Sequence, residues 1–330
     1  MTCRWGVIGP GNIAQTFADA LKVLPQGELY AVASRNTERG QAFADKNGAS
    51  VLHSSYQALV DDPMVDVVYI ATPHSHHYPV ARQVLAAGKH LLLEKPLTVN
   101  ASQTRELVAL SEQHKCVFQE ALWSRFMPCF AMVKAWIQQG RIGQLQYITS
   151  QIGFEFSGDA THRLLNPALA GGSLLDLGVY SVSISQYLLE ENPVQVSAIT
   201  TPAGAPVDHN TFVTMQYASG AVSQFVSTIN AQCSNVMTIH GSKGFIHIPG
   251  RFWEGLGCSL FVDDECIEAQ SFTHRANGFE YQIEATMQLI AEQESSDKRM
   301  SHTDSVGVMD TLDSIRNTLG LKYDNDIETL

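Results

Sequence analysis

Two short segments hold side chains that can move a proton. The first is Glu94-Lys95-Pro96, directly after the strand-like run His90–Leu93. That places the lysine at the carboxyl edge of a parallel sheet, where such sheets bind ligands. Its ammonium can hydrogen-bond a substrate hydroxyl or lower the pKa of a neighbour. The second is Gly171-Gly172-Ser173-Leu174-Leu175-Asp176-Leu177-Gly178-Val179-Tyr180. On a helix Asp176 and Tyr180 stand at i and i+4 and share a face. A phenol with its ordinary pKa of about 10 is a poor base at neutral pH. A nearby ammonium favours the phenolate and makes proton transfer accessible. Each residue also has an ordinary use: Lys95 as a strand-end lysine, Tyr180 as a core aromatic bonded to a carbonyl, Asp176 as a helix-surface acid.

A third segment reads as a phosphate cradle. Gly9-Pro10-Gly11-Asn12-Ile13-Ala14 has the form G-x-G-x-x-A and stands between a first strand, Arg4–Ile8, and a first helix, Asn12–Leu24. Glycine permits the tight turn and lets backbone approach a pyrophosphate, and the helix N-terminus faces its charge. Gly9, Gly11, Asn12 and Ile13 are therefore candidate dinucleotide contacts. An NAD-preferring site usually has an acid at the end of the second strand. The run Ala31-Val32-Ala33-Ser34-Arg35-Asn36-Thr37 has none. Ser34 and Arg35 instead offer a hydroxyl and a guanidinium, which suit a 2′-phosphate. NADP(H) is the expected cofactor, with NAD(H) as the alternative. Thr72-Pro73-His74-Ser75-His76-His77 puts three histidines in four residues after the fourth strand. No Asp/Glu/Cys cluster at ligand spacing accompanies them, so no metal is expected, and a cofactor-touching loop is the better reading.

The elements that must position these segments follow from periodicity. Up to about residue 120, short apolar strands alternate with helical stretches: strands at Arg4–Ile8, Glu28–Ala33, Val65–Ala71, His90–Leu93 and Cys116–Gln119, and helices at Asn12–Leu24, Thr37–Asn47, Tyr78–Ala87 and Ala101–His114. Ile13, Phe17, Ala20, Leu21 and Leu24 fall on one helical face, and Thr37 is a plausible N-cap. Such alternation implies right-handed βαβ units and a doubly wound parallel sheet. Beyond residue 121 come a helix at Cys129–Gln139, a strand at Leu145–Phe156, a helix at Ser173–Leu189, three hairpins between Phe212 and Ala269, and two final helices at Phe279–Glu294 and Asp304–Leu319. Glu292–Arg299 reads as a solvated polar loop. The expected architecture is α/β: a Rossmann dinucleotide-binding domain over 1–121, then an α+β domain over 122–330 with a large, mainly antiparallel open sheet for substrate binding and dimerisation.

Composition narrows the partners. The chain has 330 residues, with 21 Lys+Arg against 33 Asp+Glu and a formal charge of −12. That balance disfavours nucleic acid and anionic membrane surfaces. The apolar runs fall short of the ~18 residues of a spanning helix. No basic stretch followed by a long apolar one opens the chain, and the scattered cysteines suit reduced thiols. A cytoplasmic protein with a small-molecule substrate is expected.

The glycine turn, the Glu94-Lys95-Pro96 element and the Gly-Gly-x-x-x-Asp-x-Gly-x-Tyr segment together resemble the Gfo/Idh/MocA oxidoreductase family. Within it they look like the branch of dimeric trans-1,2-dihydrodiol dehydrogenases and NADP-linked D-xylose dehydrogenases. The resemblance covers essentially the whole chain. It implies that Tyr180 is the general acid/base, that Lys95 is its partner and that Asp176 orients the site. It implies that Trp123 lies near cofactor or substrate, and that Phe154, Trp253 and Phe279 line the substrate pocket. Many members have histidine where this chain has Tyr180. The family commonly has Thr-Pro-Asn-x-x-His near the nicotinamide ribose; here Thr72, Pro73 and His77 match, and His74 replaces the asparagine. The implied activity is hydride transfer between nicotinamide and a carbinol carbon of a small diol or sugar, by a homodimer. An aldose or inositol-type polyol dehydrogenase and a non-catalytic dinucleotide-sensing regulator are the alternatives.

Overall fold

The computed structural model describes residues 2–323. The described chain forms two compact units: residues 2–123 with His274–Val306, and Ser124–Thr273 with residues 307–323.

In the first unit, β1 (Cys3–Ile8), α1 (Asn12–Leu21), β2 (Gly27–Ala33), α2 (Thr37–Asn47), β3 (Val51–His53), α3 (Tyr56–Val60), β4 (Val67–Ile70), α4 (His77–Ala86), β5 (His90–Glu94), α5 (Ala101–His114) and β6 (Phe118–Ala121) follow in order. The six strands form one parallel sheet, ordered β3-β2-β1-β4-β5-β6. Strand order reverses between β1 and β4, and ligands bind such sheets beyond the carboxyl ends at that point. All four residues of β4 are fully buried, as a strand covered on both faces requires. Two local expectations change. Asn36, not Thr37, caps α2, accepting the Arg39 N–H on its side chain. Ile13 leaves the apolar face of α1 and is 40% exposed, while Ala14 turns inward. The short β3 and α3 had no readable period.

The second unit holds α6 (Pro128–Gln138), β7 (Leu145–Gly153), a π-helical turn (Leu174–Gly178) running into α7 (Val179–Leu189), and β8 (Pro193–Thr201), β9 (Asn210–Tyr217), β10 (Val222–Thr228), β11 (Met237–Gly241), β12 (Gly244–Ile248), β13 (Gly257–Val262) and β14 (Glu265–Ser271). The sheet runs β14-β13-β12-β11-β7-β10-β9-β8. Only the central β7–β10 pair is parallel. Ile148, Met215, Phe225, Ile239, Ile246 and Leu260 bury one face, while Tyr147, Ile199 and Phe212 are exposed on alternate positions. The stretch Pro167–Leu189 is longer and more apolar than expected, with a mean hydropathy of 1.2, but 89% of that window is buried. Its π-turn and α7 form a core helix of this unit.

Then α8 (Glu280–Glu292) packs on α1 and β5. Glu292–Arg299 is not simply solvated. Phe118 N–H donates to the Ser295 carbonyl (3.1 Å), Asp297 N–H donates to Gln119 Oε1 (3.1 Å), and Gln119 Nε2 donates to the Met300 carbonyl (3.1 Å). The segment thereby covers the outer edge of β6, which would otherwise leave its ladder groups open. α9 (His302–Leu319) is the last helix among the described residues.

Candidate functional site

In the first unit the site is built at the carboxyl ends of β1, β2, β4 and β5. Gly9 has φ +86° and lies so close to β4 that a Cβ would stand 2.9 Å from the Ala71 carbonyl oxygen. Only glycine accepts both conditions. Gly11 is the N-cap of α1, with no side chain capping the helix. The first-turn N–H groups are thus left to an incoming anion. Nearby, the Thr72 hydroxyl is buried without a hydrogen-bond partner. A pyrophosphate and ribose fit this uncapped cradle and its orphaned hydroxyl.

At the end of β2, Ser34 is buried and Arg35 exposed. Ser34 Oγ accepts the Asn36 N–H (3.2 Å), and Gly40 lets α2 approach, since a Cβ there would lie 2.8 Å from Ser34 Cβ. Burial first, and then the Arg35 charge, hold His76 below the ordinary imidazole pKa. The guanidinium therefore acts at the loop after β4 as well as at the end of β2.

His77 is fully buried; its Nδ1 meets the Pro96 carbonyl and its Nε2 the Thr72 carbonyl, both at 2.9 Å. Two carbonyl partners favour the imidazolium, but burial and then the charges of His74 and Lys95 outweigh them, and the pKa is pushed down to about 3. Through its two ring nitrogens His77 links the Thr72-Pro73 turn to the Lys95–Pro96 turn, whose peptide bond is cis. Its two ring nitrogens are occupied by backbone, which is no geometry for a metal ligand. His74 packs edge-on against it, with ring centroids 5.8 Å apart. Glu94 is buried, accepting the Tyr69 hydroxyl at 2.5 Å and the Lys95 N–H at 3.3 Å. Tyr69 in turn stacks on Phe17 at 4.0 Å. The half-buried Lys95 thus stands on a turn held from below by Glu94 and from the side by His77.

Trp123 and Phe279 pack ring to ring at 4.8 Å. Phe279 is set by the turn before α8, where Glu280 accepts N–H bonds from Ala276, Asn277 and Gly278 at 3.1, 3.2 and 2.8 Å. Although burial pushes the Glu280 pKa up, these bonds hold it below the usual value.

The second unit positions Tyr180. The Gly-Gly pair is needed by its neighbours: a Cβ on Gly171 would lie 2.5 Å from the Arg163 carbonyl oxygen, and one on Gly172, at φ +112°, would lie 2.2 Å from Asp208 Oδ1. The helix expected from Ser173 begins instead with the π-turn, so Asp176 and Tyr180 are separated by a wider turn than an α-helix gives. Asp176 is not a helix-surface acid; it is buried and ion-paired with Arg163, Nη1 to Oδ1 at 2.8 Å. Tyr180 is 7% exposed. Its ring lies 6.2 Å from that of Trp253. Trp253 is anchored through its carbonyl by Ser124 Oγ at 2.7 Å, with the Arg251 guanidinium 5.5 Å from its ring. Phe154 is 37% exposed, just past β7. Laterally, α7 is held by Ser150 Oγ to Ser181 Oγ at 2.9 Å and by the buried Arg125, whose Nε and Nη2 donate to Ser183 Oγ and its carbonyl at 2.8 Å each. Sequence reasoning missed Arg125, Arg163 and Asp208; the polar run Asp208-His209-Asn210 before an alternating strand is a signal that could have pointed to the last of them.

Comparison with known proteins agrees with this geometry. A family described as oxidoreductase family, NAD-binding Rossmann fold, matches residues 3–122, and the GFO/IDH/MocA C-terminal domain matches residues 130–247. The trans-1,2-dihydrobenzene-1,2-diol dehydrogenase of Bos taurus is 31% identical over 99% of this chain and 99% of its own. That of Mus musculus is 37% identical over 77% of this chain and 76% of its own. Among solved structures, a 3-ketoreductase from Actinomadura kijaniata with NADP and TDP-benzene shares 25% identity at a TM-score of 0.86, over 96% of this chain and 98% of that one. An aldose-aldose oxidoreductase from Caulobacter crescentus, with glycerol, has the same fold at a TM-score of 0.88 and 22% identity, over 97% and 98%. The uncapped glycine turn, the lysine after β5 and the tyrosine after the Gly-Gly segment therefore stand in a chain that belongs to the Gfo/Idh/MocA family of NAD-binding oxidoreductases.

Proposed function

We propose that the protein is an NADP-dependent dehydrogenase acting on a CH–OH group of a small vicinal diol or aldose, with Tyr180 as its general acid/base. The observation that carries this reading is the buried tyrosine held against Trp253 on a helix whose start and sides are pinned. The named activity of the relatives, trans-1,2-dihydrobenzene-1,2-diol dehydrogenase, supports a diol. When bound, the nicotinamide supplies a carbon that takes or gives hydride. The protein's part is proton transfer and placement. The Tyr180 phenolate takes the alcohol proton in oxidation, and the phenol returns it in reduction. In this reading Lys95 is the partner that the family resemblance implies, since an ammonium favours a phenolate and hydrogen-bonds a reacting oxygen. This reading requires Lys95 and Tyr180 to serve one substrate oxygen. Asp176 helps orient the site, and Phe154 and Trp253 of the second unit and Phe279 of the first are the aromatics that the resemblance assigns to the substrate.

Ser34 and Arg35, with no acid at the end of β2, support NADP over NAD. The exposed Tyr147, Ile199 and Phe212 on the open sheet face support burial of that face against a second copy. Six free cysteines suit a cytoplasmic location.

The test is Tyr180→Phe, assayed with a panel of aldoses, inositols and cyclic diols. Turnover should fall by about 10²–10⁴-fold, with NADPH binding by fluorescence retained. Near-full turnover would remove Tyr180 from the mechanism. Wild-type protein that binds NADPH but turns over nothing in the panel would instead favour a dinucleotide sensor.

A further inference from the structure

We propose that Asp208 is a positioning residue for Tyr180, fixing the register of the π-turn from which the tyrosine's helix grows. The inference rests on the assignment of Tyr180 as the proton-transfer group.

Asp208 lies between β8 and β9 and is 1% exposed. Its Oδ2 accepts three bonds: from Leu174 N–H at 2.7 Å, Ser173 Oγ at 2.6 Å and Thr211 Oγ1 at 2.7 Å. Its backbone carbonyl accepts the Ser173 N–H at 2.9 Å. Ser173 Oγ also lies 3.1 Å from Ser227 Oγ on β10. One carboxylate oxygen thus ties the helix start to β9 directly and to β10 through Ser173. The other oxygen, Oδ1, has no hydrogen-bond partner and rests against Gly172. The acid is therefore turned toward the helix start and toward Thr211 of β9.

The path to Tyr180 is short. Leu174, whose N–H Asp208 holds, offers its carbonyl to the N–H of Val179, the residue before Tyr180. That bond spans five residues and closes the π-turn. If the turn relaxed to α-helical winding, the residues before it would slip by one position, about 100° of rotation relative to Tyr180. Ser150 and Arg125 hold α7 from its sides at Ser181 and Ser183, one turn beyond the π-turn. Gly178 allows the turn to lie against the sheet, since a Cβ there would stand 3.2 Å from Phe225 and 3.3 Å from Ser227 Oγ. A carboxylate beside N–H groups that begin a helix also opposes the positive end of its dipole.

The experiment compares Asp208→Leu, Asp208→Asn and Ser173→Ala in the full chain, with kcat, KM and the pH profile of kcat measured on the best diol or aldose of the panel. NADPH affinity is followed by fluorescence. Asp208→Leu should lower kcat by about 10²-fold, the cost of a displacement near 1 Å, with NADPH affinity unchanged and the pH midpoint of kcat moved. Asp208→Asn keeps an acceptor oxygen for Leu174 and should recover turnover to within about tenfold of wild type. Wild-type kcat and pH profile in Asp208→Leu, whatever its melting temperature, would overturn the inference, as would equal losses in the Leu and Asn variants. If Asp208→Leu does not fold, Ser173→Ala carries the test: a several-fold loss of kcat with the same pH displacement supports the role, and unchanged kcat overturns it. Tyr180→Phe is run alongside; its retention of turnover would sink the parent reading, independently of Asp208.

Discussion

Replacing Arg35 with alanine should separate the two nicotinamide cofactors. Arg35 follows β2, and Ile8 of β1 lies between Ala33 of β2 and Ile70 of β4 in register. Arg35 therefore follows the strand that neighbours the one leading into the glycine turn. A hydrogen bond to a charged group contributes about 1.5–3 kcal/mol. Arg35 is exposed, so water and salt place the loss toward the low end, about 1.5–2 kcal/mol. That is roughly a 10–30-fold rise in Kd for NADPH. NADH has no 2′-phosphate and should change by less than about threefold. Fluorescence titrations at two ionic strengths measure both, and the NADPH penalty should shrink at the higher one. His76 provides a second readout. Because the Arg35 charge helps depress its pKa, Arg35→Ala should let that pKa rise, which proton NMR of the imidazole would follow. An equal effect on NADPH and NADH would refute the 2′-phosphate assignment. An unmoved His76 would refute the placement of the guanidinium.

Two further outcomes follow from the same geometry. Gly9→Ala puts a Cβ 2.9 Å from the Ala71 carbonyl oxygen at φ +86°, so it should cost about 1–3 kcal/mol of stability and weaken NADPH and NADH together; a thermal melt and paired titrations check this, and unchanged values would contradict the cradle. Wild-type protein should scatter light as a dimer, and Ile199→Asp, at a position 65% exposed on the open sheet face, should give a folded monomer; a wild-type monomer would end the proposal.

The alternation of strand and helix up to Ala121 was legible because each element follows its own local rule. β4 reads as a strand because its side chains are buried on both faces, and the glycine turn reads because it joins a strand to a helix. The missing acid after β2 is a single position whose chemistry needs no tertiary context. The elements that escaped notice are those whose reasons lie far along the chain. β3 is three residues long and half-buried, too short to show a period. Asn36 caps α2 one residue ahead of Thr37, and both types cap helices well. The return of 274–306 to the first unit depends on Gln119, which reaches Asp297 and Met300 across some 180 residues of sequence; no pattern near either partner announces it.

The Gly-Gly-Ser-Leu-Leu-Asp segment shows most clearly what such distance hides. As a string it reads as a helix start with Asp176 and Tyr180 four residues apart, and α-helical geometry would put them on one face. Two constraints from elsewhere decide otherwise. The carbonyls of Arg163 and Leu164 press on Gly171, and the Asp208 carboxylate presses on Gly172, so neither position accepts a side chain. The same carboxylate then takes the Leu174 N–H and starts the helix in a π-turn. Burial pushes the Asp208 pKa up and outweighs the bonds from Ser173, Thr211 and Leu174 that pull it down. π-turns tend to occur at functional sites, and this one sets which way Tyr180 faces relative to Asp176. Asp176 in turn is paired with Arg163, on the loop whose backbone presses on Gly171. The orientation of the proposed acid/base is thus a property of two segments outside the motif, the Arg163–Leu164 loop and Asp208, and it would be lost on a chain that kept the motif and lost Asp208.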